Sequence, residues 1–419
     1  MTAATDQPPK RSLDEIDLLS PAEYAQNGYP YWAFEQLRRE SPVRQMFHGS
    51  APYWAITKHA DITSIGRQPD LFLSAPKLII RESYGDEDFV RPPSLIEMDN
   101  PMHRMHRKLI SNRFTPRALK SIHGDIERIA KGVVDDLLAQ GDGASVEFVE
   151  KVAAPLPIAV IAWLLGVPEP DWNLIFDWTN RIIGIDDPEY HPEGMTKEED
   201  GQAAITELFT YFAGLVEERR KNPKEDMITL FTKAEVDGKP LEMIEILAWC
   251  QIIMVAGNET TRNATSGGLL AFIENQDQLR LLQANPDLLK PAIEEVVRWS
   301  SPIIHFARTA ATDTIVNGVE IKEGDTLGLF YPSGNRDEDV FENPNSFRID
   351  RKRNPHVGFG VGEHFCAGAH VARLELEMAF KYLLPRIDEI EVAGPVDRLH
   401  SNLVGGIKRL PIRYSLKPA

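Results

Sequence analysis

The chain has 419 residues, with 63 acidic against 46 basic side chains and a net charge of −17 at pH 7. That balance excludes nucleic acid as a partner, because phosphates need a basic surface, and it opposes docking on an anionic membrane. The longest apolar run, 154–167, contains Pro155 and Pro157 and is too short to span a bilayer. The N-terminus lacks a charged-then-apolar leader, and two cysteines in unlike contexts, Cys250 and Cys366, give no disulfide framework. A cytoplasmic protein is expected.

Residues 1 to about 12 read as a disordered polar arm. No Ser/Gly-rich or Pro-rich linker follows, so one domain over 1–419 is expected. A first helix is predicted over 21–40, where Tyr31, Phe34 and Leu37 share a face. β-prone runs follow at 43–47 and 52–57, then a short helix at 60–67. Residues 69–100 are irregular, with Pro69, Pro76, Pro92 and Pro93. The apolar content of that stretch (Leu71, Phe72, Leu78, Ile79, Phe89) argues for a functional loop over a disordered one. In the helix that ends near 114–116, His103 and Arg107 are four apart and share a face. From the residues alone, that face is a solvated basic one.

Helices are predicted over 120–140, 152–165 and 171–183, a mobile acidic loop over 185–200, and a helix over 202–221. Residues 241–273 hold a helical pattern without proline that at about 1.5 Å per residue would cross the whole molecule. Its middle, Ile252 to Ala256, is apolar, as in a helix buried on all sides. Gly257-Asn258-Glu259-Thr260-Thr261 then interrupts it with polar groups, and such a local conflict marks a functional site. After a helix at 288–300 the chain turns β-rich. Asn317-Gly318 signals a hairpin over 315–321, a strand follows at 325–331, and a second hairpin is predicted from 404–407 through 411–414. The fold class is mainly α with small β-sheets (α+β).

Close to the C-terminus stands Phe359-Gly-Val-Gly-Glu-His364-Phe-Cys366-Ala-Gly368, with a helix-forming run behind it. A helix N-terminus favours a thiolate, the form that binds metals. Gly360, Gly362 and Gly368 allow close approach of a flat ligand, and positive φ where a turn needs it. This stretch resembles the haem-thiolate loop of the cytochrome P450 family. Three more stretches match the family in its own order: His103-x-x-x-Arg107, Ala256-Gly-Asn-Glu259-Thr260-Thr261 and Glu295-x-x-Arg298. The resemblance spans essentially the whole chain.

The resemblance implies a haem b held between a long central distal helix and the cysteine loop, with Cys366 as the iron's proximal ligand. It places Phe359, Gly360 and Gly368 against the porphyrin, and His103, Arg107, Arg308 and His364 at the propionates. Ala256 and Gly257 would leave room for O2. Glu259 and Thr260 match the acid–alcohol pair that delivers protons, with Glu where the family often has Asp. Glu295 and Arg298 are implied to be an architectural ion pair.

The substrate pocket would be lined by Ile252, Val255, Ala256, Ile303, Val404 and the 69–100 loop. The implied activity is hydroxylation of a hydrophobic small molecule (terpenoid, steroid, alkyl or aromatic) by a monomer. No flavin, nicotinamide or cluster segment is fused, so electrons are expected from outside, and the resemblance implies a ferredoxin and its reductase as their source. Arg104, Lys108, Arg113, Arg351, Lys352 and Arg353 are a candidate basic patch for that partner. Two other readings stand beside this one: a peroxide-driven enzyme, which does not need the Glu259–Thr260 relay, and a non-catalytic haem-binding sensor or carrier. Cys250 reads as a core thiol and His305 as a hydrogen-bonded structural histidine.

Overall fold

A computed structural model describes residues 12–82, 94–111, 113–114 and 116–418. Nearly all of the expected N-terminal arm, and the 83–93 part of the long loop with Phe89, Pro92 and Pro93, lie outside those residues. The architecture is mainly helical with small sheets. Its axis is the helix Met243–Glu274, 32 residues long, which packs against Pro155–Leu165, Trp172–Ile183, Lys197–Lys221, Leu289–Ser300 and Ala369–Leu383. From Asn258 to Phe272 it is buried almost all round, although 258–266 is largely polar. The apolar Ile252–Ala256, expected to be buried on all sides, is only partly so because one side of it opens onto a cavity. The polar residues at 257–261 do not break it; the helix is continuous there.

A five-stranded sheet lies to one side, in the order Val43–His48, Ala51–Ile56, Thr326–Phe330, His305–Ala310, Phe72–Leu73. Its pairs are antiparallel except that between Ala51–Ile56 and Thr326–Phe330. The predicted hairpin is present as Thr314–Val316 paired with Val319–Ile321, and Asn317 and Gly318 take φ of 48° and 79°, as its two-residue turn requires. Where the long loop is described it is anchored. Asp99 accepts from the backbone N–H groups of Ser74 and Ala75, and Ala307 N–H donates to Leu78 C=O at 2.7 Å.

Four expectations fail locally. The 21–40 helix is two, Pro21–Asn27 and Tyr31–Glu40, because Gly28 caps the first at φ 70° and Pro30 precedes the second. The 152–165 helix begins only at Pro155, after a π-type turn over Val149–Ala153. The C-terminal hairpin does not form. Ile407–Arg409 pairs with Asp397–Arg398, while Pro411–Leu416 lies between Ile387–Val392 and Ser145–Glu147. There Ile412 and Tyr414 are buried and the Tyr414 hydroxyl donates to Leu137 C=O at 2.8 Å, so core packing outweighs local pairing.

The fourth is the acidic 185–200 segment, which is fastened. Asp187 is fully buried and accepts from Lys408 Nζ at 2.9 Å and from His400 N–H at 3.1 Å. Lys408 and Arg409 also reach Glu189, and His191 pairs with buried Asp200. Asp187 and Glu189, in the stretch expected to be a mobile loop, have bases more than 200 residues away in the chain.

Candidate active site

The central helix, the Cys366 loop and the Ala369–Leu383 helix enclose a cavity of about 1300 Å3. Cys366 lines it, just ahead of that helix. Its N–H donates to Phe359 C=O at 2.9 Å, closing the loop on itself. Burial pushes the thiol up, while N–H groups of Gly368 and Ala369 and the charges of Arg107 and Arg373 pull it down. Those donors favour a thiolate once a metal takes the proton's place. The loop needs glycine at two positions. Gly360 and Gly362 have φ of 67° and 75°, and a Cβ on Gly362 would lie 1.9 Å from the Gly66 carbonyl oxygen. Gly368 needs no positive φ, and the side where its Cβ would stand is open. The Phe359 ring lies under the Arg373 guanidinium at 4.4 Å.

At another edge the cavity gathers His103, Arg107, Arg308 and His364. Arg107 Nη2 donates to Phe365 C=O at 2.7 Å, and Arg308 Nη1 to Ala307 C=O at 2.7 Å. Neither guanidinium meets a carboxylate among the described residues. His103 is buried with both ring nitrogens unpartnered, its ring 4.1 Å from that of His364. His364 Nε2 meets Ser74 Oγ at 3.0 Å. Burial, then Arg308, His103 and Arg107, push the His364 pKa down to about 3, so it is neutral. Two cations without counter-ions and an orphaned imidazole suit the two carboxylates of a haem edge. His103 and Arg107 are therefore a face turned inward to the cavity, not a solvated one.

Across the cavity stand Ala256, Glu259 and Thr260, with Gly257 also on its wall. Thr260 Oγ1 donates to Ala256 C=O at 2.7 Å, which leaves its lone pairs open to the cavity. Glu259 is buried. Burial pushes its carboxyl up and Arg262 pulls it down. The missing side chain of Gly257 is filled by Ile161, whose Cδ1 would lie 2.0 Å from a Cβ there. Close packing of two helices is therefore one demand for that glycine, which also lines the cavity.

Ile252, Val255, Ile303 and Val404 line the cavity, and Ile303 and Val404 form an antiparallel bridge. Glu295 and Arg298 lie apart from it, both fully buried and joined at 2.7 and 2.8 Å. Arg351, expected on a basic patch, is instead drawn inward to Glu295 at 3.1 Å and to three backbone carbonyls. Arg104 pairs with Glu363. Lys108, Arg113, Lys352 and Arg353 are exposed. Cys250 is a buried core thiol. His305 Nδ1 donates to Asn402 C=O at 2.9 Å and Nε2 accepts from Ile80 N–H, a structural histidine.

Two groups, one in the cavity wall and one behind it, are invisible to sequence reading. Glu375, on the helix behind Cys366, lines the cavity fully buried with Oε2 unpartnered, and burial pushes its carboxyl well up. Arg262, whose guanidinium meets the cavity-lining Glu259, reads as an ordinary continuation of the central helix. Neither carries a local signal, because a helical register alone does not reveal which face meets a cavity.

Fold and cavity together define a protein built to hold a flat, dianionic, thiolate-ligated metal macrocycle. The chain belongs to the cytochrome P450 family, whose members carry a thiolate-ligated haem. The family's own profile, Cytochrome P450, matches residues 195–389. The chain is similar to Cytochrome P450-terp of a Pseudomonas species, 36% identical over 414 residues, covering 95% of this chain and 96% of that one. It is also similar to the steroid C26-monooxygenase of Rhodococcus jostii, 37% identical over 95% of this chain and 84% of that one. Among solved structures, a Mycobacterium marinum cytochrome P450 in complex with pseudoionone superposes with a TM-score of 0.86. It is 35% identical, over 96% of this chain and 99% of that one. The chain is a P450 monooxygenase, and no helix of its described residues is long and apolar enough to cross a membrane.

Proposed function

We propose that this chain, as one domain and a monomer in the cytoplasm, hydroxylates a neutral hydrophobic small molecule of the terpenoid or steroid kind. It would use O2 and two electrons from an external ferredoxin and its reductase. The observation that carries the reading is a single cavity that joins the Cys366 sulfur, the unpaired Arg107 and Arg308, the Glu259–Thr260 pair and an isoleucine-rich wall. Cys366 would hold the iron, and His103, Arg107, Arg308 and His364 the propionates. Bound there, the haem supplies dioxygen activation and oxygen insertion.

The chain's own residues do the rest. Thr260 keeps its hydroxyl proton on Ala256 C=O and offers its oxygen to one water. Glu259 takes protons from solvent and passes them to that water. Ile252, Val255, Ile303 and Val404 exclude bulk water and set the pocket's shape. Phe359 and the Gly368 N–H shield and bond the sulfur. The exposed Lys108, Arg113, Lys352 and Arg353 remain for an acidic electron donor, and rising salt should slow encounter with it. The substrate class is supported by relatives named for a steroid oxidation and a bound pseudoionone.

Three measurements test the proposal. Reduced enzyme under carbon monoxide should show the red-shifted Soret band of thiolate ligation, and Cys366→Ala should abolish it. A surrogate ferredoxin system should turn over a terpenoid or steroid that shifts the spin state. Thr260→Ala should consume electrons without forming product. A Cys366→Ala enzyme with full activity, or unchanged coupling in Thr260→Ala, refutes the respective role.

A further inference from the structure

Glu259 and Arg262 lie one turn apart on the central helix, and each side chain is 2% exposed. An i,i+3 pair on a solvated helix face contributes little. This one is closed off at a helix crossing. Arg262 Nη2 donates to Glu259 Oε2 at 2.5 Å, and Nη1 donates to Asn180 Oδ1 at 3.0 Å on the Trp172–Ile183 helix. The guanidinium carbon also stands 5.9 Å from the Phe176 ring of that helix. Glu259 Oε1 has no partner, and Glu259 lines the cavity. One carboxylate oxygen is clamped and the other is buried without a partner.

We propose that Arg262 is the positioning residue for the proton-delivering acid: it fixes Glu259 through Oε2 and leaves Oε1 to exchange a proton with water in the cavity. Asn180 fixes Arg262 in turn, so the seating of the Trp172–Ile183 helix sets how firmly the acid is held. This rests on the role given to Glu259 above. The charges around the carboxyl are few. Arg262 shares its helix, and Tyr190 approaches from the segment after the 172–183 helix, itself acted on by both Arg262 and Glu259. Asn180 and Phe176, from the 172–183 helix, are neutral. With Arg262 removed, burial alone acts on Glu259 and keeps it protonated toward higher pH.

The test uses the haem-loaded full chain as Arg262→Met, Arg262→Lys and Asn180→Leu, each also in a Glu259→Gln background. Infrared difference spectra of Arg262→Met at neutral pH should show the carbonyl stretch of a protonated buried carboxyl, absent once Glu259→Gln is added. This readout needs no turnover, so it separates the clamp from the monooxygenase reading. The acid limb of the coupling-against-pH profile should move up by a pH unit or more in Arg262→Met. Arg262→Lys should restore it in part, because an ammonium reaches Glu259 without the fork to Asn180. Asn180→Leu should give a smaller shift. On Glu259→Gln, Arg262→Met should have no further effect on coupling. An Arg262→Met enzyme without the carbonyl band, or one that loses coupling equally in both backgrounds, overturns the proposal.

Discussion

Replacing Glu295 with Gln tests how the cysteine loop is held in place. Glu295 is fully buried and accepts two hydrogen bonds from Arg298, a bifurcated one from Arg351 Nε, one from the Arg348 N–H and one from the Asn354 amide. Arg298 also donates to the carbonyls of Asn335, Pro344 and Ser346, so the pair pins the whole stretch that leads to Cys366. Gln keeps the shape and removes the charge, which leaves two guanidinium groups facing a dipole in a desolvated site. Breaking a buried pair in this way costs about 3–5 kcal/mol, against about 5–15 kcal/mol for a whole fold.

The assay is urea unfolding of the holoenzyme followed in parallel by far-ultraviolet circular dichroism and by the Soret band. The expected result is a lower midpoint in both signals, with the Soret signal lost first because the stretch carrying the cysteine loosens before the helices. Arg351→Met, at the rim of the same cluster, should cost less. The exposed Glu127–Lys381 pair serves as control, and Glu127→Gln should stay within about 1 kcal/mol. A Glu295→Gln cost as small as that control would refute the reasoning.

His305 should set part of the acid limit of stability. Its folded pKa is pushed down to about 4, chiefly by burial, against an ordinary 6.5. The unfolded chain therefore binds the proton first, and stability is lost as pH falls from 6.5 toward 4, by about 3 kcal/mol in all. His305→Gln should flatten that slope in urea titrations taken at several pH values; an unchanged slope rules the histidine out. Gly362→Ala would drive a Cβ into the Gly66 carbonyl at positive φ, so the purified protein should lose most of its haem, and normal haem content would contradict the fold of the loop. Gly257→Ala should destabilise by about 1–3 kcal/mol through overpacking against Ile161. Ile161→Val removes the colliding methyl, and failure of the double variant to recover in thermal melts would show that packing is not the reason for the glycine.

Local chemistry makes much of this protein legible from residue order. The cysteine loop, the long central helix and the Asn317-Gly318 turn each depend on residues within a few positions of one another. Their backbone preferences and spacing can therefore be read along the chain. Which faces turn inward cannot. His103 and Arg107 read as solvated, yet the cavity sets them beside His364 and Cys366. Arg351 leaves the surface for Glu295, and Asp187 and Glu189 find Lys408 and Arg409 more than 200 residues away. Pro411–Leu416 passes over its neighbour for strands at 145–147 and 387–392, because burying Ile412 and Tyr414 outweighs a short turn. The chain by itself determined the cysteine loop, the helical class and the polar Glu259-Thr260 step in the central helix; tertiary packing decided which distant charges meet, since desolvated partners are chosen by proximity in space and not along the backbone.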